Sequence, residues 1–131
     1  MIKMIMHGCN GAMGRTITDL VSKQTDIAIV AGVDKNNGVP QPYPVYASLE
    51  ECREEADVIV DFAAAAAIDH LLDYCGDKKL PVVLCTTGLS EDQIRKVEET
   101  SRKTAILRSA NMSLGINLLL KLVREAARTL A

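Results

Sequence analysis

The stretch Ile2-Lys3-Met4-Ile5-Met6-His7-Gly8-Cys9-Asn10-Gly11-Ala12-Met13-Gly14 decides the fold. Ile2 to Met6 is apolar apart from Lys3, and a run of this length and content reads as a buried parallel strand. Three glycines follow at intervals of three, a GxxGxxG pattern instead of the commoner GxGxxG. A tight strand-to-helix turn needs one residue free of Cβ. Close approach of backbone to a pyrophosphate needs a second, and packing of the helix on the strand a third. The N-terminus of the helix that follows then faces the phosphates. Glycine-rich turns also serve packing alone, so the triplet draws its weight from standing between strand and helix.

Outward from this unit, Ile27 to Val33, Val58 to Phe62, Val82 to Cys85 and Ala105 to Leu107 are further short runs rich in Ile and Val. Pro44 to Tyr46 fits a short extra strand, and Asn36 to Pro42, with Gly38 and two prolines, reads as a loop. Ser48 with Glu51 and Ser90 with Gln93 have the spacing of capping boxes, and each predicts a helix start. Leu114, Leu118, Leu119, Leu122, Val123, Ala126, Ala127 and Leu130 make one apolar helix face, opposite Lys121, Arg124, Glu125 and Arg128. Strand alternating with helix predicts an α/β fold, a doubly wound and mostly parallel sheet in a single domain over residues 1–131. Five consecutive alanines, Ala63 to Ala67, follow a strand where turn residues are usual, and the sequence offers no physical account of them.

Asp34 ends the second strand, 20 residues beyond Gly14, where a carboxylate accepts hydrogen bonds from the hydroxyls of an adenosine ribose. Its other reading is a strand-terminal Asp that caps the turn at Asn36. Lys35 beside it either binds a 2′-phosphate, making NADH and NADPH both acceptable, or is a solvated loop lysine. Two later loops, Cys85-Thr86-Thr87-Gly88 and Ser109 to Gly115, stand at carboxyl ends of strands. That edge forms the ligand crevice of an open α/β sheet. Either loop is equally a capped connection, with Ser113 opening the last helix.

Composition removes whole classes of function. The chain has 131 residues, 48% of them hydrophobic, which suffices for one core. Fifteen Lys and Arg against seventeen Asp and Glu leave a formal charge of −2, and one Phe, three Tyr and no Trp offer few stacking platforms, so nucleic acid is not an expected partner. The longest apolar run, around Val58 to Ile68, contains Asp61 and is far shorter than the ~20 residues of a membrane span. No signal-peptide core forms before His7, which predicts a cytoplasmic protein without a membrane partner. Cys9, Cys52, Cys75 and Cys85 have no metal-ligand spacing and no evident base or cation beside them. They are expected to be reduced packing residues, and no metal site is predicted.

Gly8 to Gly14 with Met13 and Arg15, Val60-Asp61-Phe62, Thr86-Thr87-Gly88, and Asn111-Met112-Ser113-Leu114-Gly115-Ile116-Asn117 together resemble the N-terminal domain of the dihydrodipicolinate reductases, along essentially the whole chain. The resemblance implies a Rossmann-type cofactor domain, a homo-oligomeric intact enzyme and a place in the diaminopimelate route to lysine. It also implies roles: Gly8, Cys9, Asn10, Gly11, Ala12 and Met13 as the pyrophosphate loop, and Asp34 with Lys35 at the adenosine end. Phe62 and Ala63 would flank the cofactor, with Cys85, Thr86 and Thr87 along the nicotinamide. Ser109, Ala110, Asn111 and Met112 would hold the carboxamide through backbone groups, and Thr87 would reach the carboxylate of a small-molecule substrate. The family usually has Gly at position 85, Thr at 63, Pro near 65 and Phe at 112, so Cys85, Ala63, Ala65 and Met112 are departures.

In that family the chain continues into a substrate domain with a His pair, a Lys and a Pro-Ser-Gly-Thr loop. Within these 131 residues no catalytic acid is nominated, because His7 closes a strand and His70 lies on a helix, both read as structural or solvated. The expectation is a half-site that binds NADH or NADPH without turnover. The alternative reading is a stand-alone dinucleotide-sensing module that regulates a partner.

Overall fold

The computed structural model describes residues 1–108 and 116–130. Six strands, β1 (Ile2–His7), β2 (Ile27–Val33), β3 (Val45–Tyr46), β4 (Val58–Asp61), β5 (Val82–Leu84) and β6 (Ile106–Arg108), form one sheet in the order β3-β2-β1-β4-β5-β6, every neighbouring pair parallel. The helices among the described residues are α1 (Ala12–Ser22), α2 (Ile68–Lys78), α3 (Glu91–Thr100) and α4 (Ile116–Leu130).

Alternate side chains of each strand point to opposite faces, and both faces are covered. Met4, Met6, Val58, Val60 and Val83 pack with Ile17 and Val21 of α1 and Leu120 and Val123 of α4. Ile5, Ile59, Val82 and Leu84 pack with Leu71, Leu72 and Cys75 of α2 and Val97 of α3. This two-faced burial explains why the strands read as continuous apolar runs. The chain runs outward from β1 through β2 to β3, then crosses to β4 and continues the other way. Between β1 and β4 the winding therefore reverses, and the loops on either side part to leave a crevice at the carboxyl edge.

Two expectations need correction. The Ser48–Glu51 spacing opens only a 3₁₀ turn, Leu49–Glu51. Glu51 Oε2 accepts from the Ala47 N–H at 3.1 Å, but the Ser48 side chain makes no capping bond. Beyond Glu51 burial alternates, with Cys52, Glu54 and Ala56 half-buried and Arg53 and Glu55 exposed, the period of extended chain instead of a helix. At Ser90 both halves of the box form, Gln93 N–H to Ser90 Oγ at 3.1 Å and Ser90 N–H to Gln93 Oε1 at 3.0 Å. In α4 the apolar face is centred on Leu120, Val123 and Ala127, with Leu122 only half-buried. Arg124, on the opposite face, lays its guanidinium on Asp26, with Nε 2.8 Å from Oδ2 and Nη2 3.0 Å from Oδ1.

Candidate functional site

A cleft of about 530 Å³ opens at the carboxyl edge where the winding reverses. The ends of β1, β2 and β4 supply His7 and Gly8, Asp34 and Lys35, and Phe62 and Ala63 as its walls.

The three glycines differ in what requires them. Gly8 has φ +82°, and a Cβ there would stand 2.8 Å from the Phe62 backbone. A Cβ at Gly14 would stand 2.7 Å from Cys9 Cα, so α1 rests directly on the loop. Gly11 lines the cleft, and a Cβ there would meet only Gly8 O, at an ordinary 3.5 Å. Its φ is −75°. Nothing among the described residues demands glycine at position 11, and a Cβ there would project into the open cleft. Gly14→Ala is accordingly expected to lower the melting temperature, because backbone cannot move aside cheaply. Gly11→Ala is expected to leave melting unchanged and to weaken dinucleotide binding about ten-fold or more by obstructing the phosphates. Thermal melts and titration calorimetry on the two variants separate these outcomes; a stability loss at Gly11 without loss of binding would refute the distinction.

Asp34 Oδ2 accepts from the Asn10 N–H and Oδ1 from the Asn36 N–H, each at 2.9 Å. One backbone donor per oxygen leaves further lone pairs of the carboxylate open to the cleft. It therefore does cap the turn at Asn36 while keeping capacity to accept from a ligand. Lys35 is exposed at the rim.

Asp61, wholly buried, sits beneath the cleft. Its Oδ1 accepts from the Ala63 N–H at 3.1 Å and stands 2.7 Å from His7 Nδ1, and Oδ2 accepts from the Thr86 hydroxyl at 2.5 Å. Thr86 Oγ1 also stands 2.9 Å from Ala63 O. A carboxylate only accepts, so the proton of His7 is assigned to Nδ1. The loops after β1, β4 and β5 are thereby tied together. His7 is buried and also forms part of the cleft wall. The signal that links it to Asp61 is register, since these residues pair directly across β1 and β4.

The alanine run acquires a physical account. The Ala63 N–H is held by Asp61 Oδ1, Gln93 Nε2 donates to Ala65 O at 2.8 Å, and Ala65–Ala67 is a 3₁₀ turn entering α2. The backbone is fastened from outside, while the small side chains of Ala63, Ala64 and Ala67 leave the cleft open. His70, on α2 at the far wall, lies 2.6 Å from Glu50 Oε1, and this contact holds the Glu50 carboxyl below its ordinary range against the opposing effect of desolvation.

Other residues named from the sequence border this region without lining the cleft itself. Cys9 and Cys85 are buried in the α1/α4 core. Burial raises the Cys9 thiol to about 11 and the Cys52, Cys75 and Cys85 thiols to about 12, so all four stay protonated at neutral pH. The Asn10 side chain is engaged with the β2–β3 loop, Ala12 and Met13 are exposed in the first turn of α1, and Thr87 is exposed beyond β5. Ser109, Ala110, Asn111 and Met112, with Ser113, lie outside the described residues. None of the described helices is long and apolar enough to cross a membrane.

A family model described as "Dihydrodipicolinate reductase, N-terminus" matches residues 2–112. The chain belongs to that family. It is 51% identical over 130 residues to the 4-hydroxy-tetrahydrodipicolinate reductase of Caldanaerobacter subterraneus and 42% identical over 130 residues to that of Clostridium tetani. Both alignments cover 99% of this chain and 51% of the relative, so the chain spans about half the length of the curated relatives it matches. Among solved structures, dipicolinate-bound dihydrodipicolinate reductase from Paenisporosarcina superimposes with a TM-score of 0.73 at 24% identity, over 97% of this chain and 54% of that one. The WlbA dehydrogenase of Bordetella pertussis, solved with NADH and UDP-GlcNAcA, gives 0.70 at 14% identity, over 98% of this chain and 40% of that one. These likenesses show the fold alone, a Rossmann-type α/β sheet.

Proposed function

We propose that this chain is the dinucleotide-binding half of a 4-hydroxy-tetrahydrodipicolinate reductase, working in the diaminopimelate route to lysine. The observation that carries the reading is the cleft between Gly11 and Asp34. On one side it has backbone with unclaimed room, and on the other a carboxylate with unclaimed lone pairs. A nicotinamide dinucleotide fits both features and supplies the hydride that reduces a cyclic imine.

In this reading Gly8 to Met13 hold the pyrophosphate with backbone N–H groups at the start of α1. Asp34 accepts from the adenosine ribose hydroxyls, and Lys35 at the rim accommodates a 2′-phosphate, so NADH and NADPH both bind. Phe62 and Ala63 flank the dinucleotide. Cys85, Thr86 and Thr87 border the nicotinamide, Ser109 to Met112 hold its carboxamide, and Thr87 orients a carboxylate of the substrate. The acid that protonates the substrate and the remaining carboxylate partners come from outside residues 1–131, as does the contact surface of the homo-oligomer.

Calorimetric titration with NADH and NADPH tests the reading directly. Saturable binding is expected, and its absence for both at millimolar concentration would overturn the proposal. Asp34→Ala is expected to weaken NADH by ~1.5–3 kcal/mol, about ten-fold or more, because a charged hydrogen bond to the ribose is lost. NADPH should lose less, since its 2′ position carries no free hydroxyl for Asp34. Equal and negligible losses would remove Asp34 from the site.

A further inference from the structure

Asp34 does not hold its own orientation. Its two oxygens are pinned from opposite sides, by the Asn10 N–H of the glycine loop and by the Asn36 N–H of the β2–β3 loop. Those two loops are in turn fastened to each other through one side chain. Asn10, buried, donates from Nδ2 to Asn36 O and accepts at Oδ1 from Gln41 Nε2 at 2.7 Å. The segment from Asn36 to Gln41 is thus gripped at both ends by Asn10, and between the grips stands Gly38, with no atom of the described residues within 4 Å of where its Cβ would be. Gln41 is half-buried and does not line the cleft.

We propose that Gln41, acting through Asn10 and Asn36, is a positioning residue that sets the Asp34 carboxylate for a ribose with both hydroxyls free, and so contributes to the choice between NADH and NADPH. The inference rests on the reading of Asp34 as the ribose acceptor. With Gln41 in place, the Asn10 amide has its carbonyl and amino ends both satisfied, which fixes its flip state and aims Nδ2 at Asn36 O. Asn36 is then held where its N–H meets Asp34 Oδ1. Without Gln41 the Asn10 carbonyl loses its protein donor, the distal grip on the β2–β3 loop is released, and the carboxylate is left with one firm donor instead of two. Pre-organisation is lost while the carboxylate itself remains. A dinucleotide that carries a 2′-phosphate makes less use of Asp34 and is less affected.

The test is calorimetric titration of NADH and NADPH into the wild-type chain, Gln41→Ala, Asp34→Ala and the double variant, with a thermal melt of each. Gln41→Ala is expected to weaken NADH about three- to ten-fold, the scale of one hydrogen bond, and to change NADPH by less than about two-fold. In the Asp34→Ala background the same substitution should have no further effect on NADH, a non-additivity that a merely structural role would not produce. Gln41→Glu, which keeps length but puts a carboxylate oxygen within reach of Asn10 Oδ1, should reproduce the loss. Unchanged NADH affinity, equal losses for the two dinucleotides, or additivity in the double variant would overturn the role of Gln41 while leaving Asp34 in place. A wild-type chain that binds neither dinucleotide, or an Asp34→Ala variant that binds both normally, would overturn the ribose reading and this role with it.

Discussion

A polypeptide of these 131 residues, mixed with NADPH and the cyclic imine substrate, is expected to bind the dinucleotide and to leave the near-ultraviolet absorbance of reduced nicotinamide undiminished. Hydride transfer needs donor and acceptor carbons held at ~3–3.5 Å, and aligned positioning of this kind can be worth ~7–11 kcal/mol. Both carboxylates of the substrate need fixed partners before that alignment exists, and Thr87 offers one hydroxyl. A general acid is needed as well. The two histidines are already engaged, His7 with Asp61 at 2.7 Å and His70 with Glu50 at 2.6 Å. Losing alignment and acid together should lower the rate by many orders of magnitude, with the full-length relative from Caldanaerobacter subterraneus as the positive control. Turnover by the 131-residue chain comparable with that control would mean that a catalytic acid lies within it.

Asp61→Ala is expected to have the largest effect on stability. The substitution leaves the His7 Nδ1–H, the Ala63 N–H and the Thr86 hydroxyl around a buried void, although Thr86 retains Ala63 O as a partner. Removing one side of a buried, hydrogen-bonded pair costs ~3–5 kcal/mol, a fall in melting temperature of roughly 10–20 °C for a domain of this size. Asp61→Asn should cost less, since its carbonyl still accepts one bond and the Thr86 hydroxyl can rotate to accept from the new amide. Thermal melts followed by circular dichroism measure both. A loss below about 1 kcal/mol for the alanine variant would show that the network contributes no net stability.

The sequence is most informative where cause and effect are adjacent in the chain. Strand, glycines and helix follow one another within residues 2–22, so the first βα unit is legible from spacing, as is Asp34 at the end of the next strand. Sequence reasoning also identifies Ser90 and Gln93, because a capping box is completed within four residues. It overreads Ser48 and Glu51, where the same local spacing opens only a 3₁₀ turn and the residues beyond it bury alternate positions as extended chain does. It misses contacts made across the sheet. His7 and Asp61 are 54 residues apart, and Asp61 and Thr86 are 25 apart. Their meeting depends on strand order, which no local pattern encodes. The alanine run is opaque for the same reason: its anchors, Asp61 and Gln93, are supplied by other elements.

Asp61 has a consequence for how the sheet assembles. Side chains alternate along β4, so Val58 and Val60 face α1 and α4 while Ile59 and Asp61 face the other side. Sliding β4 by one residue against β1 would carry the carboxylate to the opposite, wholly apolar face and leave it without His7 or Thr86. Ile, Val and Met are nearly interchangeable as partners in a parallel ladder, and hydrophobic burial alone discriminates weakly among offsets. Asp61 works as a register pin between the middle strands of the sheet: a carboxylate with matching donors in one alignment of β1, β4 and β5, it makes the neighbouring alignments costly.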